Sequence, residues 1–303
     1  MSMPVKVLLA QIAPRLGRWE ENWERHREIL REAAERGVDL VIFPELSLTG
    51  YMLKDFVPEV AVHREVLATW LEPMAGELEK PLSVVIGFVE RSTAHRYYNA
   101  AAFLHLSPSG TVRLVHVHRK VYLPTYGMFD EMRYWRAGRE FRAFEAPLLG
   151  RCGLLICEDL WHLTSPYLLS LDGPGLEGAR CLIGIANSPA RGATDLQRFT
   201  TANAEIWRML NRIYALLLGC VVFHCQRVGV EDNFIFTGGS EIVVPTGETL
   251  GQAPLFEEAF LEAEVHVEDW VRRAQNQTPP MVLENVDLVL RELERIHREA
   301  NEG

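Results

Sequence analysis

The segment VDLVIFPELSLTGY, residues 38–51, contains an apolar run, residues 40–43, that stops abruptly at Pro44 and Glu45. Such a run is typical of a strand buried on both faces of a sheet. Working outward, residues 5–13 and 82–90 also indicate buried strands, and the apolar residues of 19–36 recur at helical spacing. Helical and extended stretches therefore alternate along the chain, which favours a layered α/β fold.

The rest of the chain continues this alternation. We predict helices over 59–72, 163–171 and 195–217, strands over 152–157, 180–187, 220–226, 241–245 and 259–265, a hairpin turning at 107–110, and a loop over 120–138. Near the C-terminus, Val282, Val286, Val289, Leu293 and Ile296 form one helical seam, which we expect to pack on its own domain or, alternatively, in an oligomer. We divide the chain into a domain of residues 1–270 and a C-terminal helical extension of residues 271–303.

Composition excludes several classes of function. The 303 residues carry a formal charge of −10 and show no basic cluster interleaved with aromatic residues, which argues against nucleic acid as a partner. No signal peptide and no apolar run of about 18 residues is evident, so a membrane location is not expected. The five cysteines lack zinc-ribbon spacing, and we expect thiols in a reducing, cytoplasmic setting without a metal or cofactor.

Three residues of potential chemistry follow predicted strands. Glu45 follows the strand 38–43, Lys120 follows a run with two histidines, and Cys157 ends the strand 152–157. Taken singly, each has an ordinary interpretation: a loop carboxylate, a solvated lysine and a buried small side chain. However, ligands of α/β sheets gather beyond the carboxyl ends of strands, so we expect these three residues to lie together.

Two other motifs carry less weight. His116 and His118 point to one face of a strand and could bind a metal, but no third ligand stands at a convincing spacing, so two ordinary strand histidines are favoured. The segment TGGS, residues 237–240, lacks the following Lys-Ser/Thr and the following helix of a phosphate loop. We therefore predict neither a metal site nor a nucleotide site from these motifs.

Several motifs, in order along nearly the whole chain, resemble those of the nitrilase superfamily of carbon–nitrogen hydrolases. They are FPELSLTGY (43–51), HRKVYLP (118–124), GLLICEDLW (153–161), IANSP (185–189) and FTGGSEIVVPTG (236–247). The segments YLPTYGMFDEMRYW and ICEDLW are most similar to the glutaminase domain of glutamine-dependent NAD synthetase. The resemblance implies a four-layer αββα sandwich, a Glu–Lys–Cys triad and a homo-oligomer.

The resemblance also assigns residues. Glu45 matches the base, Lys120 the oxyanion partner, Cys157 the nucleophile and Glu131 a second glutamate that orients the lysine. The positions that match the substrate pocket are Tyr51, Tyr126, Glu158, Trp161, Asn187 and Ser188. For the ends of glutamine, Glu158 suits the α-ammonium, and Arg191 is a candidate for the α-carboxylate.

The implied activity is thiol-dependent hydrolysis of a small amide through a Cys thioester, with release of ammonia from glutamine to a separate synthetase. The sequence departs from the NAD synthetases because it has no SGGxDS-type loop and no room for a synthetase domain. A stand-alone amidase, N-carbamoyl-amide hydrolase or nitrilase is therefore the main alternative. A non-catalytic binding or assembly module is a third, disfavoured because all three triad residues are present.

Overall fold

The computed structural model describes residues 3–195, 200–277 and 284–302. The strands are β1 Val5–Gln11, β2 Leu40–Ile42, β3 Leu82–Arg91, β4 Tyr97–Leu106, β5 Val112–Arg119, β6 Phe144–Ala146, β7 Gly150–Ile156, β8 Cys181–Ala186, β9 Ala193–Asp195, β10 Thr200–Thr201, β11 Val221–Gln226, β12 Val228–Glu231, β13 Phe234–Thr237, β14 Glu241–Val243, β15 Thr249–Gln252 and β16 Ala259–Val265. The helices are α1 Trp19–Glu35, α2 Val57–Val60, α3 Arg64–Ala75, α4 Glu131–Tyr134, α5 Thr164–Leu171, α6 Ala202–Leu218, α7 Val267–Gln277 and α8 Val286–Glu302.

Two mixed sheets form the centre of the molecule. Within the described residues each has six strands, in the orders β16-β1-β2-β3-β4-β5 and β15-β14-β11-β8-β7-β6. In the first sheet β2 pairs in parallel with β1 and β3, and in the second β8 pairs in parallel with β7 and β11. The carboxyl ends of β2, β7 and β8 are therefore available for a shared site.

The alternation of side chains along the strands produces the layers. In β1, Val7 and Leu9 face the second sheet, whereas Leu8 contacts the apolar cluster beneath α1 and α3. The other sheet is covered by α5, which contacts β7, and by α6, which contacts β11. The predicted four-layer αββα sandwich is confirmed.

The helix α6 begins and ends as its sequence dictates. Thr201 is its N-cap, and the Thr201 Oγ1 atom accepts a hydrogen bond of 3.2 Å from the backbone N–H of Ala204. Gly219 follows the last turn with a φ of +61°, the left-handed conformation that glycine adopts without a steric penalty. The predicted helix over 195–217 was wrong at its start, because Asp195 ends β9 and Thr200–Thr201 form β10, while residues 196–199 lie outside the described residues.

Other differences from the sequence predictions arise from pairing between distant segments. The predicted helix 59–72 is broken after α2, because Val62 forms a parallel bridge to Glu90, in the part of β3 that extends past β2. The predicted loop 120–138 contains the single turn α4. The strand predicted over 152–157 ends at Ile156, and Cys157 begins a 3-10 turn.

The C-terminal seam does not pack as expected. Of the seam residues, Leu293 and Ile296 are each more than half exposed, Val286 and Val289 are partly exposed, and Val282 lies outside the described residues. By contrast, α7 packs on the core through the buried Val267, Val271 and Ala274. The division of the chain at residue 270 falls within α7, and it remains a prediction.

Candidate active site

Glu45 lies in a tight turn directly beyond β2. The residue that follows it, Leu46, has a φ of +46°, a conformation that costs energy for any residue other than glycine. Gly87 on β3 makes room for this turn, since a Cβ atom there would lie 2.4 Å from the carbonyl oxygen of Pro44. The Glu45 carboxylate is fully buried, so the turn holds a charged group in the interior.

Cys157 occupies a second strained turn, beyond β7. Its φ of +46° is rare for a residue with a side chain and places it at a sharp change from strand to 3-10 helix. It is 8% exposed, whereas the other four cysteines are at most 2% exposed. Among the cysteines, therefore, Cys157 is the one that a small molecule reaches most easily.

Lys120 and Glu131 complete the centre of the site. Lys120 follows β5, and its buried ammonium donates hydrogen bonds of 2.9 Å to Glu45 Oε1 and 2.6 Å to Glu131 Oε1. Glu131 begins α4, which is how the loop after Lys120 returns a carboxylate to the same ammonium. Tyr51 donates a further hydrogen bond of 2.6 Å to Glu131 Oε1. Two buried carboxylates thus share one buried cation.

Two asparagines donate further hydrogen bonds to the Glu45 carboxylate. Asn99 Nδ2 donates a hydrogen bond of 2.6 Å to Glu45 Oε1, and the backbone N–H of Asn187 donates one of 2.8 Å to Glu45 Oε2. Asn99 was not identified from the sequence. The only available signal was a polar residue at the start of an otherwise apolar strand.

Asp159 is a second residue that the sequence reasoning missed. It is fully buried, and its Oδ1 atom accepts hydrogen bonds from the backbone N–H groups of Val121 and Tyr122 at 3.0 and 2.9 Å. Its Oδ2 atom lies 2.8 Å from His118 Nε2. Asp159 therefore ties the Cys157 turn to the strand and loop that carry Lys120, and His118 has a specific structural partner.

Burial and charge set the protonation of the cluster. Burial raises the pKa of the Cys157 thiol well above its usual range, Glu45 and Glu131 raise it further, and Lys120 opposes them. Burial lowers the pKa of Lys120, but the two carboxylates outweigh burial and hold it well above its ordinary value. Burial also raises the pKa of Glu131 to about 7, against the attraction of Lys120. The resting thiol is therefore protonated and needs a base.

A more open group of side chains borders the cluster. Tyr126, about half exposed, donates from its hydroxyl to the Glu158 carboxylate, with both oxygens at 3.0 Å. Burial and Glu158 raise the pKa of Tyr126 to about 12, and the charges of Cys157 and Arg191 also act on it. Tyr126 and Glu158 are therefore close enough to the Cys157 thiol to interact with its charge, and Arg191 interacts with Tyr126.

The remaining predicted pocket residues are connected through Trp207. Its Nε1–H donates a hydrogen bond of 2.8 Å to Ser188 Oγ, and its ring meets Trp161 edge-on with centroids 5.3 Å apart. The Asn187 side chain is buried, and within the described part of the chain neither of its amide atoms has a hydrogen-bond partner. An unpaired buried amide is costly, so Asn187 is available to a bound molecule. Among the predicted pocket residues, Tyr51 is the one whose hydroxyl donates a hydrogen bond to a carboxylate of the central cluster, that of Glu131.

In the described part of the chain, no three His, Cys, Asp or Glu side chains are grouped so that they could hold one metal ion. Among the same residues, no helix is long and apolar enough to cross a membrane.

Comparison with known proteins agrees with this geometry. The carbon–nitrogen hydrolase family model matches residues 6–275. Glutamine-dependent NAD(+) synthetase from Thermotoga maritima is 31% identical over 270 residues, covering 88% of this chain and 43% of the relative. The Acinetobacter baylyi enzyme is 30% identical, covering 93% of this chain and 47% of the relative. The chain thus spans less than half the length of these curated relatives.

Solved structures give the same picture. Glutamine-dependent NAD+ synthetase from Acinetobacter baumannii matches with a TM-score of 0.73 and 27% identity, over 88% of this chain and 46% of that one. A carbon–nitrogen hydrolase from Helicobacter pylori has the same fold, with a TM-score of 0.81 and 21% identity, over 96% of this chain and 98% of that one.

The fold and the family match together define the class of protein. The chain belongs to the carbon–nitrogen hydrolase family and is an enzyme of the nitrilase superfamily. Within that superfamily it is similar to one portion of the glutamine-dependent NAD synthetases.

Proposed function

We propose that the protein hydrolyses the side-chain amide of L-glutamine through a thioester on Cys157. The observation that carries this proposal is the buried Lys120 ammonium held between the Glu45 and Glu131 carboxylates near the strained Cys157, whose thiol is the least buried of the five. Such a cluster supplies a nucleophile, a base and a fixed positive charge without an exposed charge.

In the acylation step, the Cys157 sulfur attacks the amide carbon while Glu45 accepts the thiol proton. The carbonyl oxygen becomes an oxyanion, which the Lys120 ammonium and the backbone N–H of Glu158 stabilise. When the oxyanion collapses, the C–N bond breaks and Glu45 returns the proton to the departing nitrogen. Ammonia leaves, and the acyl group remains on sulfur.

In the deacylation step, Glu45 accepts a proton from water as the water oxygen attacks the thioester carbon. The C–S bond then breaks, Glu45 returns the proton to the departing sulfur, and glutamate leaves. Glu131 acts as a positioning residue, because its carboxylate holds Lys120 and in turn accepts the Tyr51 hydroxyl.

The open rim supports glutamine as the substrate. Glu158 offers a negative charge for the α-ammonium, and Tyr126 binds and orients that carboxylate. The Arg191 guanidinium lies near Gly127, since a Cβ atom there would be 3.6 Å from it, and offers a positive charge for the α-carboxylate. A simple aliphatic amide has neither an ammonium to pair with Glu158 nor a carboxylate to pair with Arg191.

The test is ammonia release from L-glutamine by the purified protein, beside a Cys157→Ala control. Acetamide, an N-carbamoyl amide and a nitrile are assayed in parallel. We expect release from glutamine that disappears in the control, and a Tyr126→Phe variant with a higher KM for glutamine but unchanged turnover of acetamide. Turnover of another amide or nitrile, but not of glutamine, would support the catalytic role of Cys157 and its neighbours and would refute glutamine as the substrate. No turnover of any compound would favour a non-catalytic module.

We further propose that the ammonia passes to a separate synthetase in the cytoplasm. The similarity to glutamine-dependent NAD synthetases supports an ammonia-using synthetase as the partner. All five cysteines are free and buried, which suits a reducing compartment. Product formation by an ammonia-dependent NAD synthetase supplied only with glutamine should then depend on this protein and on Cys157.

A homo-oligomer is also proposed, through the outer face of α5 and α6. Leu168, Met209, Ile213 and Leu217 are each 42–55% exposed on these adjacent helices. A contiguous apolar patch of this kind marks an interaction surface. Light scattering should show an oligomer that Ile213→Glu dissociates and that Leu148→Glu, at an exposed leucine elsewhere, leaves intact.

A further inference from the structure

A cavity of about 520 Å³ lies along the outer edge of β5, apart from the thiol and its carboxylates. Its lining is rich in arginine, in contrast to the chain's formal charge of −10. The residues that matter for its chemistry are Arg64, Arg96, Arg119, Arg139, Arg142 and His116. None of them has a role in the proposed hydrolysis.

The guanidinium groups are only partly neutralised. Arg64 and Arg119 share one buried carboxylate, that of Glu90, so this trio retains a positive charge. The Arg119 guanidinium also stacks on the ring of Tyr98, 3.9 Å from its centroid, which fixes its orientation. A preorganised guanidinium loses less side-chain entropy when it binds an anion.

The remaining three arginines add to this positive charge. Arg142 contacts Glu140 and lies near Asp172, whereas Arg96 and Arg139 form no side-chain ion pair within residues 3–195, 200–277 and 284–302. Five guanidinium groups thus meet three carboxylates, Glu90 among them, which leaves two positive charges in excess. A bound dianion would neutralise this excess.

His116 adds a neutral hydrogen-bonding group to the wall. Its Nε2 atom is buried and, within the described residues, has no hydrogen-bond partner. The ring stacks on Phe144 with centroids 4.4 Å apart and is therefore held in place. Burial lowers the pKa of His116 to about 4, so the ring is a neutral imidazole that can donate one hydrogen bond.

We propose that this cavity binds a small phosphate-bearing anion. Planar guanidinium groups match the oxygens of phosphate, and several converging arginines favour an anion with more than one charge. The volume suits a small molecule rather than a segment of protein. The proposal does not depend on the substrate of the Cys157 site.

The experiment is isothermal titration of the full chain with pyrophosphate, with ATP and with citrate, each at about 0.15 M salt, near physiological ionic strength. The test variant is Arg96→Gln/Arg139→Gln, because both residues are exposed and their loss should not disturb folding. The matched control is Arg15→Gln/Arg18→Gln, which removes the same charge from two exposed arginines near the start of α1.

We expect saturable binding of pyrophosphate or ATP that weakens roughly tenfold or more in the test variant, about 1.4 kcal/mol, and less than about twofold in the control. Comparable binding of both compounds would point to the phosphate group alone, and much tighter binding of ATP to a nucleotide. Absence of saturable binding, equal weakening in both variants, or citrate binding as tightly as pyrophosphate would each overturn the proposal.

Discussion

Replacing Glu131 by glutamine should make folding stability less dependent on pH while it lowers activity. The Glu131 side chain is 3% exposed, and its pKa lies at about 7 instead of 4.5, mainly because it is buried. The folded state therefore binds this proton more tightly than the unfolded state does. The stabilisation is complete below about pH 4.5 and is lost as the pH rises through about 7.

The size of the effect follows from the same pKa values. A change from 4.5 to about 7 corresponds to about 3 kcal/mol between the two protonation states. Glutamine keeps an acceptor for Lys120 and Tyr51 but cannot ionise, so its contribution is constant with pH. Its amide nitrogen replaces Oε2, which has no partner among the described residues, so we expect an additional cost that does not vary with pH.

The assay is urea unfolding at pH 5 and pH 8.5 for the wild type, Glu131→Gln and Glu59→Gln, an exposed control. We expect the loss of stability between these pH values to be smaller in Glu131→Gln than in the wild type by up to about 3 kcal/mol. The turnover number should fall roughly tenfold or more, because Lys120 loses one of its two charged partners. Equal pH slopes in all three proteins would refute the reasoning.

Three further changes probe the support of the site. Glu241→Gln should also reduce the pH dependence of unfolding, because burial raises the pKa of Glu241 to about 7, and activity at pH 7 should persist. Asp159→Ala should lower the unfolding free energy by roughly 3 kcal/mol or more, measured in urea, because it leaves buried donors unpaired. Gly87→Ala should reduce both stability and ammonia release, because its Cβ atom would displace the Glu45 turn. A Gly76→Ala control, whose Cβ atom meets nothing closer than 3.8 Å, should leave both unchanged.

The central residues were predictable because they follow strands. Apolar runs that stop at a charged or reactive residue identified Glu45 and Cys157, which follow strands of different sheets, and the packing of the two sheets against each other brings these ends together. Lys120 follows β5, and the hairpin fixes the register of β5 against β4. Local pattern therefore indicated where the centre of the site lies, and the family resemblance supplied the roles of its residues and Glu131.

The supporting residues were not predictable, because their roles depend on contacts between distant segments. Asn99 reaches Glu45 across 54 positions, and Asp159 reaches Tyr122 across 37. The break in the predicted helix 59–72 has the same origin, since Val62 pairs with Glu90 of another element. The hydrophobic periodicity of a single segment cannot predict which distant segment it will contact.

The most direct test of the central claim is the rate at which iodoacetamide alkylates each of the five cysteines, followed by peptide mass spectrometry. The structure predicts that Cys157 reacts at least about tenfold faster than Cys152, Cys181, Cys220 and Cys225, since it is the most exposed and lies beside a base. Glu45→Gln should slow Cys157 alone. If Cys157 reacts no faster than the other four, or if Glu45→Gln leaves its rate unchanged, the proposed nucleophile and base are wrong.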